Sequence, residues 1–293
     1  MQESISYSVG GHTFRVEGNE ETKLLREIVP GFVYFETKDS QTEWQILFGC
    51  QIEKPAQWEV LYNFVFEESE ISSVLAKVGE TYYFYMEPKD TKKTPLLMRY
   101  QCGNTVEATA GLEPEMLRFS LWMALNMLAA PSKMTLVHSS VIVHNGRAVL
   151  FLGESGTGKS THTRLWIEHI PQSARLNDDS PVLAFENGEA VVYGSPWSGK
   201  TNYYIPRRFP LAGVVRLSQA KENKIRRLNV LESFSALQPS CPPALAQDGH
   251  FQDLIVDLIS DVLSVTPVFH LACLPDADAA WTSHDAIFGH IDR

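Results

Sequence analysis

Hydrophobic and polar residues alternate along the first part of the chain, which is the pattern of half-buried β-strands. Residues 5–9 and 12–16 alternate on either side of Gly10-Gly11, and this arrangement predicts a hairpin. More segments of this kind follow, separated by charged or turn-forming connectors. We expect strands at residues 32–35, 44–48, 58–66, 82–86 and 96–101. Residues 1–112 are therefore predicted to form a β-rich accessory domain.

The pattern changes to that of a helix after residue 112. Residues 113–130 combine apolar side chains with strong helix formers, and Pro114 suits a first helical turn. Pro131 then ends the segment, because proline cannot continue a helix. We predict a linking helix within residues 113–134, followed by a second domain over residues 135–293.

The second domain is predicted to open with a hairpin. Residues 137–144 and 147–152 flank Asn145-Gly146, and both turn residues tolerate the positive φ of a type I′ turn. Strands and helices then alternate. We expect helices at residues 160–170, 251–263 and 276–287, and strands at 181–185, 190–193, 213–217 and 265–274. This order predicts an α/β class with an α+β mixed sheet.

The composition narrows the choice of partners and compartment. The 293 residues carry a net charge of −10, which argues against nucleic-acid or anionic-membrane partners, because phosphates need clustered cations. No apolar run approaches the roughly 20 residues that cross a bilayer, and the first ten residues lack the features of a signal peptide. The four cysteines show no CxxC spacing, so we expect reduced thiols in a cytoplasmic protein.

The strongest chemical signal lies between the second predicted strand of that hairpin and the next helix. Residues 153–160 read GESGTGKS and match G-x-x-x-x-G-K-[ST], the phosphate-binding P-loop, or Walker A motif. Its glycines let backbone N–H groups face phosphate oxygens, and the helix presents its positive end to the same anion. Lys159 is expected on the β- and γ-phosphates, and Ser160 on Mg²⁺. The predicted nucleotide-binding residues here are Gly153, Ser155, Gly156, Thr157, Gly158, Lys159, Ser160 and Thr161.

Three further features are candidates for the same site. Asp178-Asp179 follows the P-loop helix, where a carboxylate can hold Mg²⁺ and a second can accept a proton; a solvated turn is the alternative. His138 precedes the P-loop, although a single histidine is more often structural. In the loop 194–201, Lys200 could contact a phosphate or an acidic substrate, and Trp197 could stack on a base or cap the pocket. The alternative is a structural loop with a partly buried tryptophan.

The order of His138, a hairpin, GESGTGKS and NDDSPVL resembles the catalytic domain of HPr kinase/phosphorylase. That family shares a nucleotide-binding core with phosphoenolpyruvate carboxykinase. Residues 266–279 are similar to the closing strand and helix of kinase-like relatives found beside peptide-modification genes. The resemblance covers residues 135–293 and implies a PEP carboxykinase-like P-loop domain that uses ATP and Mg²⁺.

The resemblance also implies a role for each matching residue. Asp178 would be the general base on an acceptor hydroxyl, with His138 assisting it. Asp179 and Ser160 would hold Mg²⁺, and Lys159 would act on the phosphates during transfer. The implied activity is phosphoryl transfer to a hydroxyl, with a serine on a peptide, on a protein or free in solution as the expected acceptor.

Two other functions stay open at this point. One is a non-catalytic nucleotide-sensing module, and the other is a phosphoenolpyruvate carboxykinase-like lyase. The expected partners are the nucleotide and the acceptor, and whether the chain also forms a homo-oligomer stays open.

Overall fold

The computed structural model describes residues 3–39, 41–66, 69–111, 113–199 and 202–290. By internal contacts the chain divides into two units. The first comprises Met1–Ser132 with Ala244–Gln252, and the second comprises Lys133–Pro243 with Asp253–Arg293. Each unit contains a nine-stranded sheet with parallel and antiparallel neighbours, so the predicted mixed α/β class is confirmed. The predicted domain boundaries and the PEP carboxykinase-like fold stay predictions.

The sheet of the first unit has the strand order β3-β1-β2-β4-β9-β8-β7-β6-β5. Its strands, in chain order, are β1 Glu3–Val9, β2 His12–Gly18, β3 Glu36–Thr37, β4 Trp44–Leu47, β5 Glu59–Phe66, β6 Ile71–Val78, β7 Thr81–Pro88, β8 Leu96–Tyr100 and β9 Thr105–Ala108. The helices of this unit are α1 Glu20–Ile28 and α2 Pro114–Ala129. Proline occupies the first turn of α2, and most of the helix is buried, as its apolar sequence predicts.

One strand prediction in this unit is wrong. Residues 32–35 were expected to be extended, but Pro30–Phe35 forms a 3₁₀ helix. Pro30 has the fixed φ that suits a first helical position. Phe32 and Phe35 are both buried, and a spacing of three residues places them on the same side of a 3₁₀ helix. The short apolar run therefore satisfies a helical period as well as an extended one.

The sheet of the second unit has the order β10-β14-β15-β16-β12-β11-β13, with β18 beside β16 and β17 beside β18. Its strands are β10 Met134–Leu136, β11 Ser139–His144, β12 Arg147–Leu152, β13 Ser173–Asp179, β14 Val182–Glu186, β15 Glu189–Tyr193, β16 Arg208–Gln219, β17 Lys224–Arg227 and β18 Val268–Cys273. The remaining helices of the chain are α3 Lys159–His169, α4 Val230–Leu237, α5 Gly249–Val265 and α6 Ala277–Phe288. The division between the units falls within α5.

The predicted hairpin of this unit is present, but its first strand, β11, begins at Ser139, two residues later than predicted. Asn145 and Gly146 have φ values of 48° and 75°, as a type I′ turn requires. Of the strand predicted over residues 137–144, β11 comprises Ser139–His144, and Val137 and His138 lie before it, after the end of β10 at Leu136. The backbone N–H of Val137 donates to Pro181, and that of His138 donates to Ser240 at 2.7 Å. His138 therefore lies in the short connection between β10 and β11.

The GESGTGKS motif, residues 153–160, follows strand β12 of this sheet. Strand β12, which precedes it, is antiparallel to β11 and parallel to β16. Helices α3 and α6 cover one face, where Phe151, Trp166, Val215, Leu271 and Ala280 are buried in a common apolar cluster. This packing fixes the strand before the motif and the helix after it.

No helix in the described part of the chain has both the length and the apolar character that crossing a membrane requires.

Candidate functional site

The backbone of the P-loop follows a path that favours glycine. Gly153, Gly156 and Gly158 have φ values of 156°, 79° and 105°. A Cβ added to Gly153 would lie 2.4 Å from the Thr157 hydroxyl oxygen, so this close approach also requires glycine. Helix α3 begins at Lys159, and no side chain caps its first turn. The first N–H groups of α3 therefore face the loop without a side-chain acceptor, as an anion site at a helix N-terminus requires.

The side chain of Lys159 is turned towards its own loop. Its Nζ donates to the carbonyl oxygens of Gly153 at 2.7 Å and Glu154 at 3.2 Å. It also lies 3.1 Å from Nε2 of His138. The fold thus brings together a lysine and a histidine that are 21 positions apart in sequence.

Several charges act on Lys159. Burial lowers the pKa of its ammonium group, and the carboxylates of Asp178 and Asp179 act in the opposite direction. The positive charge of Arg216 lowers the pKa further. Both acids of the predicted pair, and one arginine that the sequence analysis did not single out, therefore lie close enough to influence the P-loop lysine.

Asp178 is anchored from three sides. The hydroxyl of Ser160 donates to its Oδ1 at 3.2 Å, and the hydroxyl of Ser140 donates to the same oxygen. Its Oδ2 is paired with Nη1 of Arg175 at 3.8 Å, and the Asp178 side chain is only 8% exposed. The carboxylate is therefore fixed beside the last residue of the P-loop motif.

Asp179 is in a more open position. Its side chain is 28% exposed, and its Oδ1 lies 3.5 Å from Nδ1 of His138. The hydroxyl of Ser180 donates to its other oxygen at 3.1 Å. The imidazole of His138 thus has Asp179 on one nitrogen and Lys159 on the other.

The loop after β15 lies against the acidic pair. The N–H of Gly199 donates to the backbone oxygen of Asp178 at 2.7 Å, and Ser198 forms a bridge with Asp179. The amide of Asn177 donates to backbone oxygens of this loop, including that of Trp197 at 3.0 Å. Asp178 and Asp179 end strand β13, so the alternative of a solvated turn is wrong.

The two other predictions for this loop have different outcomes. Trp197 is 2% exposed, so its ring offers no face for stacking, and the alternative of a structural loop with a buried tryptophan fits better. Lys200 lies outside the described residues, and its nucleotide contact stays a prediction.

Two clefts border the P-loop. One, of about 350 Å³, is lined by Gly156–Gly158 and Thr161 together with the apolar residues Leu165, Leu217 and Leu274. The other, of about 450 Å³, is lined by Glu154 and Ser155 together with Arg216, Ser218 and His270. The predicted residues Ser155 and Thr161 thus lie in different clefts.

Sequence reasoning missed three polar residues of this region. Ser140 belongs to β11 and carries no motif signal, since its partner Asp178 is 38 positions away. Arg175 lies three residues before Asp178 in the same strand, so the run RLNDD did contain a signal. Arg216 lies on a strand without a recognised motif. Long-range pairing, rather than local sequence, brings Ser140 and Arg216 to the site.

The described residues include a donor set that suits Mg²⁺. The hydroxyl of Ser160 and the carboxylate of Asp178 are 3.2 Å apart, and both are oxygen ligands of the kind that Mg²⁺ prefers. Among the described residues, no group of three or more His, Cys, Asp or Glu side chains is placed to hold a metal ion. Magnesium in phosphoryl-transfer sites commonly uses one or two carboxylates together with substrate phosphates.

Comparisons with known proteins add little to this geometry. No family model matches the chain. No curated protein matches it either. Among solved structures it is similar to the HPr(Ser) kinase/phosphatase from Coxiella burnetii, with 12% identity over 50% of this chain and 88% of that one, at a TM-score of 0.29. A likeness this weak carries no argument about fold or activity, and membership of the HPr kinase family stays a prediction.

Proposed function

We propose that the second unit binds ATP with Mg²⁺ and transfers the terminal phosphoryl group to a hydroxyl acceptor, a serine on a peptide, on a protein or free in solution. The observation that supports this most is the P-loop itself, whose lysine and serine lie beside two carboxylates and a histidine. Phosphoryl transfer needs these parts in one place, because catalysis is mostly positioning and charge neutralisation.

The phosphate chain would be held by the loop and by the start of α3. The N–H groups over residues 156–160 supply donors, and Lys159 exchanges its carbonyl partners for phosphate oxygens. When bound, Mg²⁺ neutralises charge on the phosphates. Ser160 and Asp178 are the residues that would hold it.

The contacts favour a particular division of work between the two acids. Asp178 already accepts two hydroxyl hydrogen bonds and pairs with Arg175, which suits a carboxylate that orients a metal site. Asp179 is more exposed and is adjacent to His138, which suits a proton acceptor. This exchanges the roles that the sequence resemblance implies for the pair, and both assignments can be separated by experiment.

In the proposed reaction the acceptor oxygen forms a bond with the γ-phosphorus. The bond between that phosphorus and the β–γ bridging oxygen breaks, and ADP leaves. The hydroxyl proton passes to the Asp179 carboxylate, and His138 holds that carboxylate in place. Lys159 stabilises the charge that develops on the phosphate oxygens.

The smaller cleft supports a position for the nucleoside. It begins at Gly156–Gly158, and apolar side chains such as Leu165 and Leu274 form its walls. A nucleobase is flat and largely apolar on its faces, so such walls suit it better than the more polar lining of the second cleft.

The direct test is label transfer from γ-labelled ATP in the presence of Mg²⁺ and lysate from the source cell. We expect one or more acceptors to acquire label with wild-type protein, and none with Lys159→Ala. An unchanged γ-phosphate would favour a nucleotide-sensing module. ATP consumption that depends on oxaloacetate would favour a carboxykinase-like lyase.

A further inference from the structure

Three basic residues form one row across neighbouring strands of the second unit. Arg216 on β16 is paired with His270 on β18, and His270 is paired with Arg226 on β17. Directly paired residues project from the same face of a sheet. Arg216 is also paired with Leu152, the last residue before the P-loop. The row therefore begins beside the phosphate-binding loop.

The two arginines of the row differ in their partners. Nη1 of Arg226 donates to Oε2 of Glu232 at 2.9 Å, and its Nη2 lies 2.9 Å from Oε1, so this ion pair neutralises the charge of Arg226. Arg216 donates to the backbone oxygen of Ala236 at 3.1 Å. In the described part of the chain, no carboxylate lies within ion-pair distance of Arg216. The hydrogen bond to Ala236 holds the Arg216 guanidinium beside the polar cleft, where it can form charge-assisted hydrogen bonds with an anion.

The surroundings of Arg216 are arranged for an anion. It lines the cleft of about 450 Å³ together with Ser218 and His270, whose side chains are hydrogen-bonded at 3.0 Å. Burial lowers the pKa of His270, and the charges of Arg226 and Arg216 lower it further, while Glu232 raises it. A neutral imidazole beside a hydroxyl offers hydrogen bonds to an anion without adding a second fixed charge.

One acidic residue also lines this cleft, the exposed Glu154 of the P-loop. Against it stand the guanidinium of Arg216 and the ammonium of Lys159. These two groups are close enough for Arg216 to lower the pKa of the lysine, although burial is the larger cause. Lys159 does not line the cleft and lies near Asp178 and Asp179, so Arg216 is the positive charge that the lining itself offers to an anion.

We propose that Arg216, together with Ser218 and His270, forms an anion subsite beside the P-loop that takes a phosphate or carboxylate group. Two sources would supply this chemistry. One is the terminal phosphate of the nucleotide, in which case the subsite rests on the proposed function. The other is a separate anionic group, such as one carried by the acceptor.

The test compares Arg216→Gln with Arg226→Gln, which makes the same substitution in the arginine that Glu232 already neutralises. Calorimetry measures the affinity for ATP and ADP with Mg²⁺, and for inorganic phosphate on protein saturated with a non-hydrolysable ATP analogue. If the nucleotide is the source, Arg216→Gln lowers the affinity for ATP by about 10- to 100-fold, the range for a charge-assisted hydrogen bond, and leaves the affinity for ADP unchanged. If the source is separate, nucleotide affinities stay unchanged and phosphate binding is lost.

Two results would overturn the subsite. One is wild-type affinity for both ATP and inorganic phosphate in Arg216→Gln, and the other is an equal loss in Arg226→Gln. Arg216→Lys keeps the charge and is expected to show intermediate affinity, which provides a measurement if the glutamine variant does not fold. If wild-type protein binds neither nucleotide, the proposed function fails. The subsite is then tested by measuring the affinity of the nucleotide-free protein for inorganic phosphate, with Arg216→Gln and Arg226→Gln compared as before.

Discussion

The hydroxyl of Ser160 donates a hydrogen bond of 3.2 Å to Oδ1 of Asp178. This contact joins the first turn of α3 to the end of β13. Ser140 donates to the same oxygen from the neighbouring strand β11, so the carboxylate is held in one orientation by two elements. The hydroxyl of Ser160 and the carboxylate of Asp178 therefore form one cluster of oxygen atoms.

Lys159→Ala is expected to remove measurable nucleotide binding. The substitution deletes the only charged side chain of the P-loop motif that can contact the phosphates, and calorimetry with ATP and Mg²⁺ measures the result. Arg164→Ala is the matched control, because Arg164 lies on the same helix and is paired with Glu168 on the exposed surface. Wild-type affinity in the lysine variant would refute the P-loop assignment.

Asp178→Asn and Asp179→Asn are expected to separate the metal role from the proton role. The first variant should require a higher Mg²⁺ concentration for half-maximal nucleotide binding, because its carboxylate lies beside Ser160. The second should keep nucleotide and Mg²⁺ affinity while its turnover falls by about 10²-fold or more, the usual scale for a general base.

Transfer of label at varied Mg²⁺ concentration measures both effects of the acid substitutions. The opposite pattern, with a metal defect in Asp179→Asn and a pure turnover defect in Asp178→Asn, would support the roles implied by the family resemblance. Normal turnover in both variants would remove the acidic pair from the reaction.

Ala220→Trp is expected to fill the smaller cleft and to weaken nucleotide binding. Ala220 lines that cleft together with Leu217 and Leu274, so an indole there would occupy the space proposed for the nucleoside. Inorganic pyrophosphate serves as the control ligand, since it needs the loop and not the cleft. Calorimetry should show lower ATP affinity with unchanged pyrophosphate affinity, and equal losses for both ligands would point to a damaged loop instead.

His162 predicts a pH dependence of stability. Its side chain is 3% exposed, and burial lowers its pKa to about 4. The unfolded chain takes up this proton near pH 6.5. Protonation of this histidine therefore does not reduce the free energy of unfolding above about pH 6.5. As the pH falls from there towards 4, the unfolded chain binds the proton first, and the free energy of unfolding declines by roughly 3 kcal/mol.

Urea unfolding between pH 7.5 and pH 4.5 measures this decline. His162→Gln can retain a hydrogen bond with Ser283, which lies 2.9 Å from the imidazole, and it removes the titration. Its free energy of unfolding should change less with pH than that of the wild type. Parallel pH profiles for the two proteins would show that His162 does not titrate differently on folding.

The predictable parts of this protein are those whose information is local in sequence. The glycine-rich loop before α3, the Asn145-Gly146 turn and helix α2 each depend on neighbouring residues, and the structure contains these three elements. Phosphate binding by the loop stays a prediction. The 3₁₀ helix at Pro30–Phe35 was not predictable in this way, because its short apolar run fits both the repeat of a strand and the three-residue repeat of a 3₁₀ helix.

The site is less predictable because its contacts join distant strands. His138 is a weak candidate from the sequence, because a single histidine carries no motif, and its contact with Lys159 joins residues 21 positions apart. Arg216 reaches the loop through the register of β16 with β12, which no local pattern encodes.

The hydrogen bonds from Lys159 to Gly153 and Glu154 have a kinetic consequence. These hydrogen bonds hold the loop in its curved conformation before any nucleotide binds. An incoming nucleotide therefore has only to replace the two carbonyl oxygens around the Lys159 ammonium group. Association should therefore proceed in a single phase whose observed rate rises in proportion to nucleotide concentration, with no slower ordering step to limit it.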